Sequence, residues 1–318
     1  MSARPARPQL LPPAEEDRDR IVRGRPVRKF EDGDRLHDIG ASTERIHLLL
    51  SGSASVSVIT PFGCWPALTV FSPSFLNLGR AFLGAPDPCV FAPAPMSEGA
   101  LMGRSEARAL LVDLSKDGAA FRRLALRSLT AQLRGADETL RSFFDAPPPA
   151  DVEPPPAAPE ASPLQSSSSI EIPALLGPGD VPPRAFLGLG LSPRLLAQDE
   201  CLLTAGEPGE VAYLLAEGEL RVSIRIPGVG EEAVAFLAPG EVAGEMALVD
   251  DGPRSADVVA HGGPALVYAV SRDAFLTLLA SGGSEGATLL ARIAVTLCQR
   301  LHQTLERVAV FRQLAGPF

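Results

Sequence analysis

Residues Pro239 to Ala260 read PGEVAGEMALVDDGPRSADVVA, and the order of residue types in this stretch decides how the rest of the chain is read. Gly244 lets the backbone come close to a bound group, Glu245 offers a hydroxyl acceptor, and Arg254 offers a planar cation suited to bidentate contact with a phosphate. Ser255 adds a hydroxyl donor beside that cation. A short helical turn through Met246, Ala247 and Leu248 would turn backbone N–H groups toward the same anion. Leu248 and its apolar neighbours would exclude water and strengthen the pairing. An isolated Arg or Glu in a loop is usually solvated, whereas here both fall at fixed distances around an apolar turn.

Outward from this stretch the pattern is β-rich. CLLTAGEPGEVAYLLAEGELRVSIRI, from Cys201 to Ile226, contains short apolar strands broken at Gly206, Gly209 and Gly218, and EAVAFLAPGEVAGE and ALVYAVSRDAF supply further strands and turns. The first half repeats this order. VRKFEDGDRL precedes IHLLLSGSASVSVI, LLLSG from Leu48 to Gly52 matches LLAEG from Leu214 to Gly218, and Phe71–Leu83 aligns with Phe236–Leu248 without a gap. This reads as an internal duplication. Helical stretches follow both copies, SKDGAAFRRLALRSLTAQLRGADETLRSFF and SRDAFLTLLASGGSEGATLLARIAVTLCQRLHQTLERVAVF, each with Ser and Asp placed for an N-cap. In the last helix Leu290, Ile293, Leu297, Leu301, Leu305 and Val308 form one apolar stripe, a core or subunit-interface feature.

Between the copies lies a run of proline, serine and glycine without helical or strand period. The predicted division is a disordered tail over 1–20, a first domain over 21–145, a linker over 146–183 and a second domain over 184–318. The fold class is mainly β with flanking helices, and the resemblance carried by the Pro239–Ala260 stretch implies two cupin-like jelly-roll (β-roll) domains, each followed by C-terminal helices.

The net charge of -9 argues against a surface built to track nucleic-acid phosphates. Cys64, Cys89, Cys201 and Cys298 form no C-x-x-C pair, so neither a zinc site nor a disulfide framework is indicated. His37, His47, His261 and His302 include no H-x-H pair, which disfavours the metal chemistry of cupin enzymes. No Walker loop, G-x-S-x-G elbow or kinase signature is present. Without an apolar leader or a membrane-spanning run, the expectation is a soluble cytoplasmic protein that uses no membrane and no cofactor.

G-E-x-A-L followed by P-R-S-A-x-V resembles the phosphate-binding cassette of cyclic nucleotide-binding domains, the β-roll modules of bacterial catabolite activators and of kinase regulatory subunits. The resemblance spans roughly Leu195 to Phe311. It implies a cyclic nucleotide as ligand, with Glu245 on the ribose hydroxyl, Arg254 on the phosphate, Ser255 donating to it, and Ala247 and Ala256 where the family keeps small residues. Gly244 and Met246 complete the implied contact set. QRLHQTLERV resembles the helix whose threonine reaches adenine, which places Thr304 at the base. Leu305 stands where the activators put a serine from across the dimer. Ser255 is also where members preferring cyclic GMP carry a hydroxyl, so cyclic AMP is favoured only slightly over cyclic GMP.

The first copy departs from the cassette. LNLGRAFLGAPDPCVFA puts Arg80 in place of the acid and Pro86 in place of the phosphate arginine, so no cyclic nucleotide is expected to bind there in the usual way. A DNA-binding partner is not expected either, since no helix-turn-helix follows the last helix. The expected protein is a non-enzymatic sensor in which ligand tightens the cassette, the last helix swings over the base, and an unidentified protein effector reads the movement. A homodimer through the apolar stripe of the last helix is the accompanying expectation. The alternative is a ligand-free tandem scaffold for protein contacts.

Overall fold

The computed structural model describes residues 13–36, 45–83, 88–145, 191–226, 230–281 and 283–315. The expected linker lies outside the described residues. The first domain runs α1 (Ala14–Val22), β1 (Val27–Lys29), β2 (Arg45–Ser51), β3 (Ser53–Thr60), β4 (Gly63–Phe71), β5 (Ser74–Leu76), α2 (Leu78–Leu83), β6 (Cys89–Pro93), β7 (Glu98–Gly103), α3 (Arg104–Val112) and α4 (Lys116–Asp145). The second runs β8 (Ser192–Leu196), β9 (Cys201–Leu203), β10 (Val211–Ile226), β11 (Gly230–Leu237), β12 (Val242–Ala243), α5 (Met246–Asp250), β13 (Asp257–Ser271), α6 (Arg272–Ser281) and α7 (Ser284–Ala315). Both domains are β-rolls closed by helices.

In the first domain one antiparallel sheet orders its strands β1-β7-β2-β5 and a second orders them β4-β3-β6; in the second domain β11-β10-β13-β8 form the main sheet, with β12 on β10 and β9 on β13. Alternation drives the packing. In β3, Ala54, Val56 and Val58 point inward while Ser53, Ser55 and Ser57 do not, the period expected of a strand with one buried face. The duplication is visible in the turns. Gly52 and Gly218 both have positive φ, +80° and +87°. Each also abuts the opposing chain, Gly52 against Ser97 and Gly218 against Pro264, whose carbonyl oxygen would lie 2.5 Å from an added Cβ. Only glycine meets both demands.

The predicted caps form: the Ser115 hydroxyl accepts from the Asp117 and Gly118 N–H groups at 3.2 Å, and the Ser271 hydroxyl accepts from the Ala274 N–H at 3.3 Å. The helical stretch expected after the first copy is α4, with the shorter α3 added before it, whereas the stretch expected after the second copy is two helices, α6 and α7. All six stripe residues of α7 are buried within the chain. The stripe is therefore core, and the face expected to serve a homodimer is already covered.

The expectation of a disordered tail through residue 20 is corrected, because residues 14–20 belong to α1. Its Asp17 is buried and receives Arg123 Nη2 at 2.6 Å and Arg127 Nη1 at 3.4 Å. Arg123 Nη1 continues to the Leu279 carbonyl at 3.0 Å, so this buried group also ties α4 to α6. Each long helix reaches across to the other domain: α4 packs on α5, α6 and α7, and α7 touches α2, β3 and β4.

Candidate functional site

The pairing of β12 with β10, Tyr213 opposite Ala243 and Leu214 opposite Val242, delivers the chain to Gly244 at the mouth of the roll. Gly244 has φ +81°, and an added Cβ would stand 2.5 Å from Arg254 Nη1. The glycine is thus required by conformation and by the arginine lying on it. Glu245 follows in helical conformation and starts α5, which stops at Asp251 with φ +57°. The chain then returns along Gly206 to Pro208: Gly206 N–H donates to Arg254 O at 2.9 Å and Arg254 N–H to Glu207 O at 2.8 Å.

The predicted residues converge. One cavity is lined by Gly244, Glu245, Met246, Ala247, Arg254, Ser255 and Ala256, with Leu203, Val222, Leu237, Ala243 and Val258 of the strands and Arg300 of α7. Its free space is about 20 Å³, room for a single water. Glu245 is 1% exposed. Its Oε1 accepts from Arg300 Nη1 at 3.0 Å, while its Oε2 is buried and has no hydrogen-bond partner. Burial pushes the Glu245 carboxyl above the usual range, opposed first by the Arg300 guanidinium, then by its own backbone N–H, and more weakly by Arg254 and Arg134.

Arg254 is also buried, and its Nη1 and Nη2 donate to the carbonyls of Gly244 at 2.7 Å and Val211 at 2.6 Å. Burial lowers its pKa, against the attraction of Tyr213 and Glu245. Among the described residues the cation is held by backbone oxygens alone, with no carboxylate in hydrogen-bonding contact. Ser255 is half-buried, with Oγ 3.6 Å from Met246 Sδ.

Thr304 is not on the cavity wall. It is buried one turn beyond Arg300, and its hydroxyl donates to the carboxyl of Asp137 on α4. In the first domain α2 occupies the place of α5. Of Arg80 only the backbone, in α2, is described, and Pro86 lies outside the described residues.

Four functional groups escaped the sequence reading: Arg300, which shares Glu245, and Arg134, Asp137 and Arg141 of α4, which face the second domain. The i, i+4 relation of Arg300 to Thr304 was the available signal for the first, and the three- and four-residue spacing of the α4 charges for the others.

Residues 193–281 match the cyclic nucleotide-binding domain family. The chain is 38% identical over 86 residues to the cyclic AMP receptor protein of Thermus thermophilus, covering 27% of this chain and 39% of that one. It is 35% identical over 79 residues to the cAMP-dependent protein kinase regulatory subunit of Mycosarcoma maydis, covering 25% and 15%. It therefore matches well under half the length of each of these relatives. Among solved structures, a cyclic nucleotide-binding domain from Methylobacillus flagellatus aligns at 31% identity and a TM-score of 0.34, over 42% of this chain and 72% of that one. The match to the cyclic nucleotide-binding domain family thus lies within the second domain, over residues 193–281.

Proposed function

We propose that the second domain binds one cyclic nucleotide, cyclic AMP in preference to cyclic GMP, and that the protein is a non-enzymatic regulatory sensor. The observation that carries this reading is the unpartnered Oε2 of Glu245, buried in the same cavity as the Arg254 guanidinium. A buried acceptor without a partner costs about 1–3 kcal/mol, and a ribose hydroxyl supplies the missing donor. Arg254 supplies the phosphate contact, trading its backbone carbonyls for the anion, with Ser255 donating beside it. Gly244, Met246, Ala247 and Ala256 line the path of the sugar and phosphate. Thr304 reaches the base once α7 shifts, and that shift is the signal passed to an effector protein. Relatives named for cyclic AMP favour that nucleotide over cyclic GMP.

The test is calorimetry with cyclic AMP and cyclic GMP on the wild type, Arg254→Ala and Glu245→Ala. Loss of a charge-assisted contact removes about 1.5–3 kcal/mol, so each variant should bind roughly ten- to a hundredfold more weakly. Binding that survives Arg254→Ala unchanged removes the site assignment.

A second reading has its own support. The cavity has free space of only about 20 Å³ and Arg254 is satisfied internally, as suits a ligand-free tandem scaffold. Absence of heat with either nucleotide at millimolar concentration selects that reading.

A further inference from the structure

The helices α4 and α7 run side by side and parallel, in a register set by two contacts: the Phe143 ring stacks on Phe311 with centroids 6.0 Å apart, and the Thr304 hydroxyl donates to the Asp137 carboxyl. Each helix also lies on the other domain, α4 on α5 and α7 on α2. Six residues before its phenylalanine, α4 carries Asp137 and α7 carries Leu305, and both are buried. The helix against the cassette with Glu245 and Arg254 thus has a carboxylate at this place. Its counterpart against α2, where the sequence has Arg80 and Pro86 in place of the acid and the phosphate arginine, has a leucine. Leucine satisfies the packing, whereas burying a carboxylate costs desolvation, so packing does not account for Asp137.

Pairing with an arginine does not account for it either. Arg300, Arg141, Arg134 and Arg307 all lie in the field of Asp137, yet three of them spend hydrogen bonds elsewhere. Arg300 Nη1 donates to Glu245 at 3.0 Å, Arg134 Nη2 to Asp250 and to the Pro253 carbonyl, both at 2.9 Å, and Arg141 Nη2 to the Ser255 carbonyl. The side-chain hydrogen bond that reaches Asp137 comes from Thr304. A carboxylate has about four acceptor positions, so Asp137 can take a further donor. Its place suits a ligand. Arg300 stands on the cavity wall beside Glu245, and Thr304 follows one helical turn, about 5.4 Å, along α7. The Asp137–Thr304 pair therefore comes next beyond the acid assigned to the ribose, at the position the nucleotide reading gives to the base.

We propose that Asp137 is a specificity-determining residue of the nucleotide site: its carboxylate, supplied by the first domain, accepts a hydrogen bond from the 6-amino group of an adenine bound in the second. This deepens the nucleotide reading given above and rests on it. Guanine carries an acceptor oxygen at the same ring position, which a carboxylate repels, so the contact separates the two purines. The first domain then completes the site of its neighbour, a role that needs no ligand of its own.

The experiment uses the full chain and two ligands, cyclic AMP and the 3′,5′-cyclic phosphate of purine riboside, which differs only in lacking the amino group. Both are titrated calorimetrically into wild type, Asp137→Leu and Asp137→Asn at pH 8, above the value of about 6 to which burial pushes the Asp137 carboxyl. Asp137→Leu copies the residue that α7 carries at the matching place. The wild type should bind the analogue roughly ten- to a hundredfold more weakly than cyclic AMP, the worth of a hydrogen bond to a charged acceptor. Asp137→Leu should bind the two ligands with nearly equal affinity, and Asp137→Asn, which keeps an acceptor without the charge, should show an intermediate ratio. A purely structural role for Asp137 would weaken both ligands alike and leave the wild-type ratio intact, which overturns the proposal; so does a wild type that binds both ligands equally. Should Asp137→Leu fail to fold, an Asp137→Asn ratio as large as that of the wild type overturns it. No binding of either ligand by the wild type would instead overturn the nucleotide reading and the role of Asp137 with it.

Discussion

Glu245→Gln separates what the site's acid does for folding from what it does for ligand. Glu245 is 1% exposed, with one oxygen on Arg300 and the other without a partner. Cutting a buried ion pair ordinarily costs about 3–5 kcal/mol, because the surviving charge is stranded. Two features reduce that cost here. The glutamine oxygen still accepts from Arg300, so only the charge assistance is lost, about 1 kcal/mol. Arg300 also stays within the field of the Asp137 carboxylate. In return, an unpaired charged oxygen becomes an unpaired neutral amide, which recovers about 1–2 kcal/mol. The ligand-free variant should therefore unfold in urea at pH 8 within about 1 kcal/mol of the wild type. Its affinity for cyclic AMP should fall roughly tenfold or more, since the ribose hydroxyl loses a charged acceptor. A loss of about 3 kcal/mol in stability, with affinity unchanged, would refute the reasoning and make Glu245 a structural partner of Arg300.

Two further outcomes follow from buried groups at the domain contact. Burial pushes the Asp137 carboxyl up to about 6 from 3.8, despite Arg300, Arg141, Arg134 and the Thr304 hydroxyl. The folded state thus keeps a proton that the unfolded state loses between pH ~4 and ~6, so this group's stabilisation is full below that window and is lost as pH rises through it, by roughly 3 kcal/mol. Asp137→Asn removes that dependence: its stability relative to wild type, from urea unfolding, should rise between pH 4 and pH 8, and a constant difference would contradict it. Asp17→Ala strands the buried Arg123 and should cost about 3 kcal/mol; unchanged stability would mean that the ion pair contributes nothing to anchoring α1.

Much of the fold was legible because its signals are local. The glycine pairs at 52 and 218, the strand alternation of β3 and the capping serines at 115 and 271 act within a few residues of themselves. The site residues from Gly244 to Ala256 were legible for the same reason, being carried by one β12–α5–β13 segment. What was not legible depends on which surface meets which. Periodicity in α7 marks a buried stripe but not that α4 and parts of the first domain cover it. The short, highly charged α1 gives little amphipathic signal, since its fully buried side chains are only Asp17 and Ile21. Arg300, Arg134 and Arg141 look like solvated helix charges until α4 and α7 are brought together over the cassette.

If Glu245 and Arg254 form a nucleotide site in the second domain, titration with cyclic AMP and its 2′-deoxy analogue will show it. Saturable binding of one cyclic AMP per chain is expected, with the analogue weaker by roughly tenfold or more, because it lacks the hydroxyl from which Glu245 Oε2 would accept. Equal affinity for the two would contradict the role of Glu245, and no binding of either at millimolar concentration would contradict the site itself.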